Sequence, residues 1–488
     1  MDNLEPKALW SYFDQICKIP RPSKHEEKIV DFVKNFGLQH GLETIADEVG
    51  NVLIRKPATA GRENTPSLAF QSHMDMVAEK NSDVEHDFLA DPIQTYVDGD
   101  WLKARGTTLG ADDGIGVAAQ LALIADNTIE HGPLEFLFTV DEETGLTGAN
   151  ALKPGMLKSK LLVNLDSEDD GDFCIGCAGG VDTKGYFQYK TVSPSKNMQF
   201  YKVQVTGLIG GHSGEDINKN RANAIVLLAR VLYMVGKESQ FGMEISEIAG
   251  GNLHNAIPRE AHAVVGFTAD GSMKFEKRFD EAISQICAEY SSEPDMRITA
   301  EGVECPKSVL VKPDGTLMAS RLVQMLMAFP HGVQGMSQDI EGLVETSTNL
   351  ASVKMDSENN EIVVGTSQRS SVESKKTEVK NRVEALLMVA GANRVTHNDG
   401  YPGWKPNVNS YIKDVLVESY TELFGVTPKV RAIHAGLECG LFFEKYPDLD
   451  MISVGPTIIG VHSPAERVQI STVQKFWKML LDVVARVK

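Results

Sequence analysis

The chain has 488 residues, which is too long for one compact core, so we expect two or more domains. Its apolar content of 42% and its charged content of 24% are typical of an ordinary globular protein. With 48 basic and 67 acidic residues the formal net charge is −19, which leaves no basic stripe to neutralise phosphates and excludes nucleic acid and anionic membranes as expected partners.

The N-terminus and the cysteines favour a cytoplasmic location. No basic segment followed by a long apolar run opens the chain, and no stretch of about eighteen apolar residues occurs, so we expect neither a signal peptide nor a membrane span. Six scattered cysteines in a long chain do not form a disulfide framework. Cys174 and Cys177 form a C-x-x-C motif, but without a second pair we expect a glycine-rich turn here, not a metal or redox site.

The first 189 residues alternate between predicted helices and strands. The predicted elements are helices over 8–19, 23–36 and 117–124 and strands over 44–46, 51–55, 68–71, 134–140 and 161–165. Ser23 and Glu26 form a capping box that opens the second helix, and Gly37 closes it. The alternation predicts an α/β fold in which helices flank a mostly parallel central sheet.

Acids and a histidine follow three of these strands at the point where each ends, and two more acids lie in a glycine-flanked loop before a helix. The candidate residues are His73, Asp75, Asp112, Asp113, Glu142, Glu143 and Asp166. His73 and Asp75 are two apart, so they point to the same face of an extended strand, and a metal-bound imidazole needs such an acid on its other nitrogen. Because ligands of α/β sheets collect at the carboxyl ends of the strands, we expect these side chains to converge.

The pattern changes from about residue 190. Strands and helices over 200–303 follow the β-α-β-β-α-β order of a ferredoxin-like unit, and a similar order over 309–397 leaves open a duplication of that unit. After a glycine- and proline-rich linker, the last ninety residues contain helices and one buried strand. We therefore expect a split catalytic domain, residues 1–189 and 399–488, with residues 190–398 inserted as an α+β lid domain.

A late histidine, His462, completes a set of metal-capable side chains. Zinc binds nitrogen and carboxylate oxygen, and a catalytic site keeps one position open. Two histidines and three carboxylates exceed what one such ion can hold, but they fit two ions that share a carboxylate. Of the adjacent Glu142 and Glu143, one can bind a metal while the other transfers a proton. Spacing alone does not choose between Asp112 and Asp113.

Several motifs occur together and in a fixed order. HMDM, GADDG, DEETG, NLD, GGHSG and GVHSP resemble the dinuclear zinc dipeptidase and aminoacylase superfamily. IPRPSKHEEKI, GGNLHNAIPR and HAGLECGLF resemble one branch of it, the cytosolic aminoacyl-histidine dipeptidases. The resemblance covers nearly the full length and implies a metal-dependent hydrolase with two divalent ions. Zinc is the expected metal, and cobalt and manganese are the alternatives.

The resemblance also implies which residues bind the ions. Asp112, and not Asp113, would bridge the two ions. His73 and Asp166 would hold one ion, and Glu143 and His462 would hold the other.

Further roles follow from the same resemblance. Asp75 would orient His73, and Glu142 would be the general base for a hydroxide that bridges the ions. In the lid, His212 would stabilise the oxyanion of the tetrahedral intermediate.

The remaining roles concern the substrate. Asn255 and Arg369 would grip the C-terminal carboxylate, for which the bidentate fork of arginine is suited. Gly436 would contact the substrate through its backbone. We assign His434 and Glu438 no direct role.

The resemblance thus implies hydrolysis of short unblocked dipeptides, with a preference for Xaa-His, including β-alanyl-histidine. The alternatives are an N-acyl amino acid deacylase or a tripeptidase of the same superfamily and, more remotely, a non-catalytic metal-binding scaffold, which would have no use for Glu142. We expect a homodimer, in which His212 acts either within its own chain or across the pair.

Overall fold

The computed structural model describes residues 1, 3–238, 242–398 and 400–488. The chain divides into two compact units. The first unit comprises Met1–Cys177, Trp404–Ala432 and Leu437–Lys488, and the second comprises Ala178–Gly403 and Ile433–Gly436. The chain leaves the first unit after residue 177, where the sequence suggested 189. Asp399, where the second catalytic segment was expected to begin, lies outside the described residues.

The chain contains the following helices and strands. Up to residue 177 they are α1 Lys7–Cys17, α2 Glu27–Gln39, β1 Glu43–Ala46, β2 Val52–Lys56, β3 Leu68–His73, β4 Thr95–Asp98, β5 Trp101–Ala104, α3 Ala111–Ala125, β6 Leu134–Thr139, α4 Glu142–Gly145, α5 Thr147–Ala151, β7 Leu161–Asn164 and β8 Asp172–Cys177. Up to residue 397 they are β9 Gly179–Gln188, β10 Lys190–Val192, β11 Met198–Thr206, β12 Gly211–His212, α6 Ala224–Glu238, β13 Glu244–Gly250, β14 Ala256–Ile257, β15 Ala261–Thr268, α7 Ala269–Glu289, β16 Arg297–Val303, β17 Val309–Val311, α8 Ala319–Ala328, β18 Gly332–Met336, β19 Val344–Asp356, β20 Glu361–Ser370, α9 Glu373–Val389 and β21 Arg394–His397. The rest are α10 Tyr411–Phe424, β22 Lys429–Ile433, α11 Glu438–Lys445, β23 Asp450–Ser453, β24 Ile458–Ile459, β25 Arg467–Gln469 and α12 Ile470–Arg486.

The first unit is built on an eight-stranded sheet with the order β1-β2-β6-β3-β7-β23-β8-β22. The four central strands, β6, β3, β7 and β23, pair in parallel. The pairs β1–β2, β2–β6 and β23–β8 are antiparallel, so the sheet is mixed. Every residue of β3, β6 and β7 is buried, as expected for parallel strands covered on both faces. The predicted α/β class is confirmed.

The start of α2 differs from the sequence prediction. The Ser23 hydroxyl does not cap this helix but donates to Asp75 Oδ2 at 2.8 Å. Gly37 does not end the helix, since α2 continues to Gln39. A Cβ at Gly37 would lie 2.9 Å from the side chain of Ile54, so this glycine lets the helix pack closely on β2. The capping-box prediction was wrong because the acceptor is more than fifty residues away.

The second unit contains an antiparallel sheet with the order β16-β11-β15-β13-β19-β20-β9-β21, and β18 adds to β19. It consists of two ferredoxin-like copies. The first runs β11-α6-β13-β15-α7-β16, and the second combines β9 with α8-β19-β20-α9-β21. The first strand of the second copy is therefore β9 and not residues 309–311, which form β17 and pair with β10 outside this sheet. Among the described helices, none combines the length and apolarity that crossing a bilayer needs.

The loop between β11 and α6, which carries His212, is held by a buried glutamate. Glu293 is 4% exposed, and its two oxygens accept from the backbone N–H groups of Ile209 at 2.8 Å and Ala222 at 3.0 Å. Both ends of the loop are thereby fixed to one side chain.

Glu293→Gln should loosen this loop, because a neutral amide has one acceptor oxygen for two donors. Losing one charged hydrogen bond is worth about 1.5–3 kcal/mol, which corresponds to about 10- to 100-fold. We expect the amide hydrogens of Ile209 and Ala222 to exchange faster by that factor, measured by hydrogen–deuterium exchange. Glu304→Gln, the same change at an exposed position, is the control, and equal exchange rates in the two variants would contradict the anchoring role.

Candidate metal centre

The parallel strands of the first unit deliver the candidate side chains to one edge of the sheet. His73 ends β3 opposite Thr139, the last residue of β6, and Asn164, the last residue of β7, lies opposite Gln71 of β3. The segments that follow these strand ends carry the remaining candidates from this part of the chain: Asp75, Glu142, Glu143 and Asp166. The expected convergence at the carboxyl ends of the strands is what the first unit shows.

Asp112 lies between two groups of potential ligands. Its Oδ1 is 3.1 Å from His73 Nε2, and its Oδ2 is 3.3 Å from His462 Nε2. His73 Nε2 is also 3.5 Å from Asp166 Oδ1, and His462 Nε2 is 2.9 Å from Glu143 Oε2. Two groups of three side chains therefore share one carboxylate, which offers one oxygen to each group.

These distances fit two bound cations. Two donor atoms at about 2.0–2.1 Å from one tetrahedral zinc ion are about 3.3–3.4 Å apart, close to the spacings within each group. Burial first, and then Asp112, raises the pKa of Asp166 well above its ordinary value, although His73 opposes the shift. Buried carboxylates that repel each other need positive charge nearby, and divalent ions supply it. The residues thus fit two divalent ions, and nothing in their geometry selects one metal.

Asp75 connects His73 to the segment that carries the glutamates. Its Oδ1 lies 3.3 Å from His73 Nδ1, and its oxygens accept from the backbone N–H groups of Glu142 at 3.0 Å and Glu143 at 3.3 Å. Burial alone would raise the pKa of Asp75, but the His73 ring, the Glu142 N–H and the Ser23 hydroxyl outweigh it and lower the pKa to about 2. Asp75 is therefore a carboxylate anion beside the His73 ring.

The two glutamates differ in their surroundings. Both have a carboxylate oxygen close to His73, but only Glu143 also belongs to the described group with Asp112 and His462. Burial raises the pKa of the Glu142 carboxyl well above its ordinary value, with Asp166 adding to the shift and His73 opposing it. Glu142 thus lies beside the candidate ligands and has a raised affinity for a proton.

The loop that carries Asp112 is held by Glu466, a residue that was not identified from the sequence. This side chain is 3% exposed, and its carboxylate accepts from four successive backbone N–H groups. The donors are Leu109 at 2.7 Å, Gly110 at 3.0 Å, Ala111 at 2.7 Å and Asp112 at 3.4 Å. Its place four residues after His462 was the one sequence signal that could have pointed to it.

Arg21 is a second residue that the sequence analysis missed. It is 2% exposed, and its Nη1 donates to the carbonyls of Met74 at 2.9 Å and Asp75 at 2.8 Å. Its Nη2 donates to the carbonyl of Gly110. One guanidinium therefore joins the end of β3 to the loop that carries Asp112. Asp113, in contrast, turns its Oδ1 to the N–H of Gly116, 3.1 Å away in the first turn of α3.

A row of buried polar side chains crosses the strand ends. Asn164 Nδ2 donates to Gln71 Oε1 at 2.6 Å, and Ser453 Oγ donates to Asn164 Oδ1. Gln71 Nε2 and Thr139 Oγ1 donate to Glu438 Oε2 at 2.7 and 2.9 Å. Burial raises the pKa of Glu438 to about 7 despite these donors. Glu438 thus belongs to the packing of the strand ends.

The other candidates lie in the second unit. The N–H of Ser213 donates to Asn255 O at 2.8 Å, and His212 pairs with Ala256, so His212 and Asn255 lie side by side at the antiparallel pair β12–β14. Burial lowers the pKa of His212, and the charge of Arg369 lowers it further. Arg369 is 7% exposed and donates from Nη1 to the Tyr401 hydroxyl at 2.9 Å.

Gly436 also belongs to this group in the second unit. A Cβ at this position would lie 2.8 Å from the ring of Tyr401, the residue that binds Arg369. A glycine is therefore the residue that fits here.

The cysteine motif has no open thiol. Cys174 and Cys177 lie in β8 and not in a turn, and both are buried. Burial raises the pKa of Cys177 to about 12, so it stays a thiol at neutral pH.

Comparisons with known proteins agree with this geometry. The family model described as "Peptidase family M20/M25/M40" matches residues 69–486. The chain is 40% identical over 490 residues to the cytosol non-specific dipeptidase of Escherichia coli strain K12, covering 100% of this chain and 99% of that protein. The crystal structure of aminoacylhistidine dipeptidase from Vibrio alginolyticus matches with a TM-score of 0.93 at 40% identity, covering 100% of this chain and 98% of that one. A tripeptidase from Staphylococcus aureus shares the fold, with a TM-score of 0.56 at 17% identity and 99% of each chain covered.

The fold and the site define a metal-dependent peptidase. The chain belongs to peptidase family M20/M25/M40. The resemblance to the dipeptidase and aminoacylase superfamily, and to its aminoacyl-histidine dipeptidase branch, is confirmed. Both relatives at 40% identity are dipeptidases by name, and the predicted class of enzyme, a metal-dependent hydrolase of the dipeptidase type, is confirmed.

Glu466→Gln should weaken metal binding without changing any candidate ligand. An amide cannot accept from all four N–H donors, so the loop that carries Asp112 loses part of its anchor. Changes to groups that orient metal ligands typically lower affinity about 10- to 100-fold. Titration against a chelator of known affinity measures the change. Glu27→Gln, at an exposed position of α2, is the control, and equal affinities in both variants would contradict this role for Glu466.

Proposed function

We propose that this protein is a dinuclear metallo-dipeptidase that hydrolyses short unblocked dipeptides, with a preference for Xaa-His. The observation that supports it most is the position of Asp112, whose two oxygens face two separate groups of ligands. His73 and Asp166 would hold one ion, and Glu143 and His462 the other, with Zn²⁺ expected before Co²⁺ or Mn²⁺. When bound, two such ions would polarise the scissile carbonyl and activate a water.

Glu142 would be the general base. It lies beside the proposed ligands but is not needed as one of them, and its N–H is fixed by Asp75. In this role its carboxylate takes a proton from the attacking water and returns it to the leaving amine. Asp75 keeps the His73 ring in the tautomer and orientation that leave Nε2 free to bind the metal.

The second unit would bind the substrate. His212 would donate a hydrogen bond to the oxyanion that forms from the scissile carbonyl. Arg369 and Asn255 would bind the C-terminal carboxylate, and the backbone of Gly436 would contact the dipeptide. His212 and Asn255 lie side by side at the pair β12–β14, and Arg369 and Gly436 share the neighbour Tyr401, which supports a single substrate-binding group.

The names of the two relatives at 40% identity suggest different substrate specificities. The E. coli relative is named a non-specific dipeptidase and the Vibrio relative an aminoacylhistidine dipeptidase. We propose that this enzyme prefers Xaa-His dipeptides, as the name of the Vibrio relative suggests. Following the name of the E. coli relative, we place it in the cytoplasm. A deacylase or tripeptidase of the same family is the alternative, and the homodimer stays a prediction.

Glu142→Ala should retain both metal ions and lose activity by about 10²- to 10⁴-fold in kcat, the usual contribution of a general base. Glu142→Asp should also be impaired, because the shorter side chain displaces the carboxylate. Metal analysis and dipeptide hydrolysis are measured on the same samples. Glu130→Ala, at an exposed position, is the control, and full activity in Glu142→Ala would refute the assignment.

Removing the metals should abolish hydrolysis, and adding Zn²⁺, Co²⁺ or Mn²⁺ should restore it. The restored enzyme is then tested on Xaa-His dipeptides including β-alanyl-histidine, other free dipeptides, tripeptides and N-acylated amino acids. A preference for acylated substrates would favour the deacylase. Two bound metals per chain with no hydrolysis of any of these substrates would favour the non-catalytic scaffold.

A further inference from the structure

Of six buried polar atoms in the second unit that have no hydrogen-bond partner among the residues that the structure describes, four lie on neighbouring residues. They are Ser213 Oγ, Asn349 Oδ1, Arg369 Nε and His434 Nδ1. The four residues are between 1% and 7% exposed. Leaving a buried polar atom unpaired is unfavourable, so four in one place indicate a site that water or a ligand completes.

The four residues belong to one group. Ser213 and Asn349 hold the antiparallel pair β12–β14 beside His212 and Asn255, because Ser213 N–H donates to Asn255 O and Asn349 Nδ2 donates to Ala256 O at 2.8 Å. A Cβ on Gly214, next to Ser213, would collide with the carbonyl of His434.

Arg369 and His434 are connected through strands β19 and β20. Ser347 of β19 pairs directly with Arg369 of β20, and its hydroxyl lies 2.7 Å from His434 Nε2. Burial, with the charge of Arg369 second, lowers the pKa of His434 to about 3, against a smaller opposite effect of the Val344 backbone. The ring is therefore neutral at pH 7 and carries one N–H.

We propose that His434 is a further substrate-binding residue, which donates its Nδ1–H to the C-terminal carboxylate of the dipeptide beside Arg369 Nε–H. In this proposal the Ser347 hydroxyl, 2.7 Å from His434 Nε2, is the donor of their hydrogen bond, which leaves the ring hydrogen on Nδ1. Two buried donors without a protein partner then meet an acceptor group with two oxygens. This inference rests on the proposed dipeptidase function and adds a determinant of specificity to it.

The proposal predicts a selective effect on substrates with a free C-terminus. A hydrogen bond to a charged group contributes about 10- to 100-fold in binding. His434→Leu should raise KM for an Xaa-His dipeptide by that factor, with a smaller change in kcat. The preference for the free acid over its C-terminal amide should shrink by a similar factor. His262→Leu makes the same change at a half-buried histidine of the same unit and serves as the control.

Two conservative variants separate substrate binding from a structural role. His434→Asn keeps an N–H near the position of Nδ1, and His434→Gln keeps one near Nε2, where it can bind Ser347. Rescue of KM by asparagine and not by glutamine supports the proposal. Rescue by glutamine alone would overturn it, since the contact with Ser347 would then be what matters.

The measurements also distinguish this proposal from the proposed function. A wild-type enzyme that cleaves no free dipeptide overturns the proposed function and this inference with it. A wild type that cleaves dipeptides, together with a His434→Leu variant of unchanged KM and unchanged preference for the free acid, overturns only the role of His434. If the leucine variant does not fold, the asparagine and glutamine pair decides.

Discussion

The site in the first unit depends on holding several carboxylates close together at the largely buried ends of the strands. Asp112 lies within 3.3 Å of both histidines, and each of those histidines has a second carboxylate within 3.5 Å. Carboxylates this close repel one another, and burial strengthens the repulsion because little water screens it. Such an arrangement is stable when divalent cations lie among the ligands. Binding of divalent cations at these residues would therefore be coupled to the folding of the site.

Charged side chains that act on the backbone hold this arrangement. Arg21 donates to carbonyls after β3 and in the loop that carries Asp112, and Glu466 accepts from four N–H groups of that loop. Asp75 accepts from the N–H groups of both glutamates. Each of the three compensates its own burial with several hydrogen bonds, as a buried charge must. Because they bind backbone groups, they fix the position of the segments that carry the candidate ligands.

Part of this architecture could be predicted from the sequence because it is local. His73 and Asp75 follow an apolar run, and their spacing of two is the period of a strand, so strand ends and candidate ligands appear together in the sequence. The functions of Glu466, Arg21 and Ser23 could not be predicted, because their partners lie between about fifty and several hundred residues away. The duplicated unit was misread for a similar reason. Its second copy starts with β9, which precedes the whole first copy, whereas a sequence reading assumes consecutive copies.

The segment around residues 433–438 shows how one short stretch serves both units. His434 belongs to the second unit and is held by Ser347, whereas Glu438 belongs to the first and is held by Gln71 and Thr139. Each of these polar side chains has one buried atom left without a partner among the described residues. A loop with no function would be expected to bury apolar atoms at such positions, since unpaired polar atoms destabilise the fold. The unpaired Nδ1 of His434 is where we propose that the substrate carboxylate binds, whereas Glu438 packs at the strand ends of the first unit.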